Sequence, residues 1–198
     1  MSRTRAGQAA AAVVDWMPHS APGGLPNAYL HAGHLFVSAT PCRVSTILGS
    51  CVSVALFDPV AQVGGLNHFL LPQGPENTAP SARFGQTAVP WLIQALVAAG
   101  ANRRQLQAKV FGGACVLRAF RSEPSLRVTR HAGSDSLGSV SLPALRAGGG
   151  NLGQKNVQTA RTLLLAEGIP VVAEDVDGER GRKLIFQTHD GSAWVRAL

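Results

Sequence analysis

Apolar residues recur along this chain at two periods, and turn residues mark each change of period. Val52, Val54 and Leu56 alternate in a run rich in β-branched residues that stops at Asp58-Pro59, a turn signal with Pro at its favoured second position. A second apolar run starts at Gly64-Gly65, passes through Leu66, His68, Phe69 and Leu70, and ends at Pro72. Together they predict a β-hairpin. A turn centred between Pro59 and Val60 sets Cys51 directly opposite His68, where Cβ atoms stand about 4.5–5.5 Å apart. Pro59 forbids the tightest hairpin turn, Gly64-Gly65 offers room for a bulge, and a slip of one residue would put the pair on opposite faces.

Elsewhere the pattern predicts a strand around His34-Leu35-Phe36-Val37, and residues 43–47 lead into the hairpin. Val89, Leu92, Ile93, Leu96 and Val97 have helical spacing, closed by Gly100. Pro90 belongs in a first turn, which places the helix start near Val89 rather than Phe84. Residues 109–115 read as a short strand ending in Gly112-Gly113, a pair that allows close backbone approach. Asn151 opens a second helix with Val157, Ala160, Leu163 and Leu164 on one face, stopped by Gly168. A strand over 169–173 follows, then a closing hairpin whose arms hold Lys183-Leu184-Ile185-Phe186 and Ala193-Trp194-Val195. Hairpins mixed with strand-helix-strand units imply a layered α/β (mixed α+β) fold with mixed β-sheet and about two to three flanking helices.

Composition changes this picture only at two segments. Residues 1–28 are rich in Ala, Pro and Gly without sustained periodicity and read as a flexible N-terminal extension. Residues 118–150 are rich in Arg, Ser and Gly and read as a loop inserted into a single domain spanning 29–198. With 198 residues and 45% hydrophobic content the chain can bury one core. No apolar run approaches the length of a membrane span, and 9–14 is too short for a signal sequence, so a cytoplasmic location without membrane insertion is expected.

The net charge is +7, but Arg103-Arg104 is the only adjacent pair of arginines, and 15 of the 18 basic residues are Arg without interleaved aromatics. A solvated surface explains this better than a nucleic-acid site. Cys42, Cys51 and Cys115 match no zinc spacing and, being odd in number, no disulfide framework. His31 and His34 lie near Cys42 without a fourth ligand, so no metal site is expected. Cys42 and Cys115 read as small apolar residues.

Cys51 and His68 are different because they come as a pair. An imidazole beside a thiol can take the thiol proton and return one to a leaving nitrogen, the minimum for acyl transfer. A third polar group normally fixes the ring. Ser45 and Thr46, just upstream, are the candidates, since a hydroxyl can accept the ring N–H and hold the tautomer. The Leu48-Gly49-Ser50 approach would present the Cys51 backbone N–H to an oxyanion.

These residues sit within an ordered series of motifs. Leu48-Gly49-Ser50-Cys51-Val52, Asp58-Pro59, Gly64-Gly65-Leu66-Asn67-His68-Phe69-Leu70-Leu71-Pro72, Ala82-Arg83-Phe84-Gly85, Lys109-Val110-Phe111-Gly112-Gly113-Ala114, Leu152-Gly153-Gln154-Lys155-Asn156 and Gly168-Ile169-Pro170-Val171-Val172-Ala173-Glu174-Asp175-Val176 occur in turn. From residue 29 to 198 the chain resembles CheD, the family of chemoreceptor glutamine deamidases. The resemblance implies hydrolysis of specific glutamines on methyl-accepting chemotaxis receptors to glutamate, with ammonia released through a Cys51 thioester and no metal or organic cofactor. It also implies, for some members, binding by a CheC-type phosphatase. The family's third catalytic residue is a threonine six positions before the cysteine. Here that position is Ser45, with Thr46 next, so the resemblance leaves Ser45 and Thr46 both open. A non-catalytic adaptor that binds the receptor or a CheC-type phosphatase is the alternative from another class.

Overall fold

A computed structural model describes residues 24–115 and 151–198, so the expectations for 1–23 and for 118–150 lie outside the described residues. In chain order the elements are β1 (Asn27–Tyr29), β2 (His34–Ser38), β3 (Arg43–Leu48), β4 (Val52–Asp58), β5 (Val63–His68), α1 (Gly85–Ala98), β6 (Gln107–Gly112), α2 (Leu152–Ala166), β7 (Val171–Val176), β8 (Arg182–Gln187) and β9 (Ala193–Ala197). A five-stranded sheet in the order β2-β5-β4-β6-β7 and a four-stranded sheet in the order β1-β3-β8-β9 each mix parallel and antiparallel pairs. The fold is layered α+β, as the periodicity predicts. β1 begins at Asn27, so the last residues assigned to the N-terminal extension belong to the sheet.

Side-chain alternation decides the stacking, because successive strand residues point to opposite faces. Val52, Val54 and Leu56 of β4 are buried with Val89, Leu92 and Leu96 of α1 and Val157, Ala160 and Leu164 of α2. On the opposite face, Ala55, Leu66 and Phe111 pack on Val44, Leu48, Leu184 and Phe186 of the smaller sheet. The five-stranded sheet is therefore the middle layer, with helices on one side and the second sheet on the other. This explains why β4 and β5 read as nearly continuous apolar runs while β8 alternates strictly, with only Arg182, Leu184 and Phe186 buried.

The hairpin forms, but its register corrects the expected one by two residues. Asp58 pairs with Val63 and Ala55 with Leu66, so the turn centres between Val60 and Ala61, and Val52 bridges to Phe69. Asp58 is the cause. Its buried carboxylate accepts from Val60 N–H at 2.8 Å and Ala61 N–H at 3.0 Å, shaping a four-residue loop that Gln62 closes with φ +55°. Gly64 and Gly65 form no bulge; they pair regularly with Phe57 and Leu56. A Cβ on Gly64 would lie 2.4 Å from the Thr188 carbonyl oxygen, so glycine is required there for close approach of the β8–β9 turn. A two-residue shift preserves the face, and Cys51 and His68 become diagonal rather than direct neighbours.

The first helix also differs from expectation. It starts at Gly85, leaving Pro90 in its interior. Loop carbonyls support the early start, Leu71 accepting from Gly85 N–H at 2.8 Å and Pro72 from Gln86 N–H at 3.0 Å. An interior proline costs about 3 kcal/mol. Burying Val89, Leu92, Ile93 and Leu96, at roughly 1.5–3 kcal/mol each, outweighs it. The second helix matches its expected start through a reciprocal cap between Asn151 and Gln154.

Candidate active site

Thr46 and His68 meet where the two sheets face each other at one end of β4, and Cys51 stands on the same face of the middle sheet as His68. Cys51 immediately precedes β4, His68 is the last residue of β5, and Thr46 lies on the inner face of β3. The Val52–Phe69 bridge puts Cys51 and His68 on the same face of the middle sheet, offset along the strand by one pleat. Thr46 arrives from the other sheet. Its Oγ1 lies 2.8 Å from His68 Nδ1 and donates to the Leu30 carbonyl oxygen at 2.8 Å. A hydroxyl has one proton, and Leu30 takes it. Thr46 must then accept from Nδ1–H, which assigns the tautomer and leaves the Nε2 lone pair free. Among the described residues the buried Nε2 has no hydrogen-bond partner, which leaves its lone pair able to take a proton.

Electrostatics keep both groups neutral. Burial drives the His68 pKa down to about 4, and the nearby imidazoles of His31 and His34 push the same way, against a raising effect of the Leu30 carbonyl. Burial also pushes the Cys51 thiol above its ordinary value, opposed by the residue's own backbone N–H. A thiolate–imidazolium pair requires the opposite order, so at neutral pH these are a neutral thiol and a neutral imidazole.

Ser45 projects to the opposite face of β3, where its Oγ lies 3.5 Å from the Ala28 carbonyl oxygen. The structure thus brings Thr46, and not Ser45, to the histidine. Cys42 is buried in the core between the sheets, Cys115 is half-buried, and among the described residues no cluster of three or more His, Cys, Asp or Glu is arranged for a metal. Sequence reasoning missed the carbonyl of Leu30 and the buried pair Ser53 and Asn67. Asn67 Oδ1 accepts the Val54 N–H at 2.9 Å, and Ser53 Oγ donates to the Asn67 carbonyl at 2.6 Å, which fixes the chain just before His68. The signal was present as polar residues inside otherwise apolar buried strands.

Known proteins resemble most of the chain. A family model for CheD, described as chemotactic sensory transduction, matches residues 70–132 and 137–197. The chain belongs to the CheD family. A probable chemoreceptor glutamine deamidase CheD 1 from Anaeromyxobacter dehalogenans is 51% identical over 176 residues, covering 89% of this chain and 87% of the relative. A probable chemoreceptor glutamine deamidase CheD 2 from Geobacter sulfurreducens is 35% identical over 174 residues, covering 88% and 91%. One from Sulfurimonas denitrificans is 33% identical over 168 residues, covering 85% and 92%. The spans matched to the CheD family model begin after His68, so the residue roles rest on geometry and on the motif resemblance. Among the described residues no helix is long and apolar enough to cross a membrane.

Proposed function

We propose that this CheD-family chain is a protein-glutamine deamidase acting on chemotaxis receptors, with Cys51 as nucleophile, His68 as base and acid, and Thr46 as the hydroxyl that orients the ring. The observation that carries this reading is a neutral His68 held by Thr46 on the face shared with Cys51, its Nε2 without a partner among the described residues. The relatives' names supply the substrate class.

In this mechanism the Cys51 sulfur attacks the glutamine amide carbon while its proton passes to Nε2. The Cys51 backbone N–H steadies the oxyanion. The C–N bond then breaks, and Nε2–H delivers its proton so that ammonia leaves. Water, deprotonated by Nε2, attacks the thioester; the C–S bond breaks, the sulfur recovers its proton, and glutamate remains. Thr46 accepts from Nδ1–H throughout and stabilises the imidazolium. A cytoplasmic location and binding of a CheC-type phosphatase complete the reading on the family likeness alone.

The test incubates wild type, Cys51→Ala and His68→Ala with receptor cytoplasmic fragments and follows intact mass and ammonia. Wild type alone should convert glutamine. Conversion by Cys51→Ala at the wild-type rate would overturn the nucleophile. Stoichiometric binding by wild type without conversion would replace the enzyme with an adaptor. Titrating a CheC-type phosphatase into the same assay checks the partner: no binding and an unchanged rate would remove it.

A further inference from the structure

Asn156 lies on the second turn of α2, is completely buried, and belongs to a motif that the mechanism above does not use. Its Nδ2 donates to two backbone carbonyls, Ser50 at 2.9 Å and Leu70 at 2.9 Å. Both acceptors are carbonyl oxygens, so the amide orientation is fixed by chemistry, and only an NH2 group can serve both. Ser50 adjoins Cys51, and Leu70 follows His68 by two residues.

The location gives these bonds their meaning. Val52–Phe69 is the last backbone bridge of the hairpin at this end, and beyond it the strands part. Asn156 spans the gap as a side-chain rung. A trans peptide is planar with its C=O and N–H antiparallel, so holding the Ser50 carbonyl fixes the Cys51 N–H on the opposite side of the chain. That N–H lies beside the Cys51 sulfur, where an oxyanion would form.

The approach of α2 is prepared by glycines. A Cβ on Gly153 would stand 2.1 Å from the Gly113 carbonyl oxygen, so only glycine lets the helix sit this close. The strand end it touches is itself tied to the nucleophile's segment, Gly113 N–H donating to the Cys51 carbonyl at 2.9 Å and Ala114 N–H to that of Gly49 at 2.8 Å. Asn156 also buries an Oδ1 without a partner among the described residues, at about 1–3 kcal/mol for such a group. An apolar residue would avoid that cost, so the position is set by its two donors.

We propose that Asn156 is a positioning residue that clamps the Cys51 and His68 segments together and aims the Cys51 backbone N–H at the oxyanion. This deepens the deamidase reading and rests on it. It acts through backbone, not on the substrate.

The test compares full-length wild type with Asn156→Asp, which keeps the shape but loses the donors, and with Asn156→Ala. Circular dichroism and thermal melting select folded variants. In these, kcat on receptor fragments should fall on the order of 100-fold with KM little changed, the scale expected for misplaced reacting groups. The pH profile of Cys51 alkylation by iodoacetamide, with Cys42 and Cys115 replaced by Ala in all proteins, should shift to higher pH as the N–H turns from the sulfur. A folded variant with wild-type kcat and an unchanged alkylation profile would overturn the proposal. So would failure of both variants to fold, which would assign Asn156 to stability alone. The alkylation readout needs no receptor: a shifted profile with a wild type that leaves receptor glutamines intact would sink the deamidase reading and keep the clamp.

Discussion

Ser45 and Thr46 are adjacent hydroxyl residues with opposite surroundings, because neighbouring strand positions face opposite sides of a sheet. Thr46 bonds His68 and the Leu30 carbonyl, whereas Ser45 faces outward. Thr46→Ala should lower kcat by roughly 10- to 100-fold, part of the factor that positioned acid-base catalysis contributes, and Thr46→Ser should restore most of it. Ser45→Ala should remain near wild type; equal loss in both would refute the assignment of Thr46. His68 gives a pH prediction. Folded His68 takes up a proton only near pH 4, while the unfolded chain does so near the ordinary histidine value of 6.5. Between these values the unfolded state binds more protons, so stability falls as pH drops through that window and is unaffected above it. The shift is worth about 3 kcal/mol. Urea unfolding at pH 7.5 and 4.5 should show this drop in wild type and a smaller one in His68→Gln; equal drops would contradict it.

At the scale of elements, the β4–β5 hairpin shows how one carboxylate sets a register. Asp58 is fully buried and accepts from three backbone N–H groups, those of Val60, Ala61 and Asn102. Burial alone would raise its pKa, yet these donors outweigh it and hold the carboxyl below the usual range. Asp58→Ala leaves three donors without their acceptor and should destabilise by about 2–4 kcal/mol, given about 1.5–3 for a hydrogen bond to a charged group. Chemical denaturation measures this, and a change under 0.5 kcal/mol, the ordinary range for surface substitutions, would exclude Asp58 as the determinant. The Asp-Pro turn was legible in the sequence. The loop length was not, and the buried Asp58 that shapes it is held in place as well by the Asn102 N–H, 44 residues away. The same reason hid the start of α1, whose first N–H groups find the carbonyls of Leu71 and Pro72.

At the scale of the whole molecule, the site depends on two sheets meeting. Cys51 and His68 belong to the middle layer and Thr46 to the outer sheet, so the core between the layers sets the Thr46–His68 distance. Phe186 is 1% exposed in that core, while Trp194 on the outer face of the same sheet is 51% exposed. Phe186→Ala should cost about 3–5 kcal/mol, lower activity, and raise the His68 pKa toward its ordinary value as water enters. Trp194→Ala should leave all three nearly unchanged. Thermal melting and NMR titration of His68 distinguish them, and an unmoved His68 in a destabilised Phe186→Ala would break the link between interlayer packing and the site.

By itself the sequence determined most of the elements, their mixed α+β class and the family, because periodicity, turn chemistry and motif order are local properties of the chain. Which of Thr46 and Ser45 meets His68, the two-residue register correction and the reach of Asn156 to Ser50 and Leu70 were decided only by the tertiary structure. Each involves a contact between distant segments: β3 against His68, Asp58 against Asn102, and α2 against Ser50 and Leu70. Such contacts form only when the layers stack, and no local pattern encodes which face of a strand they will use.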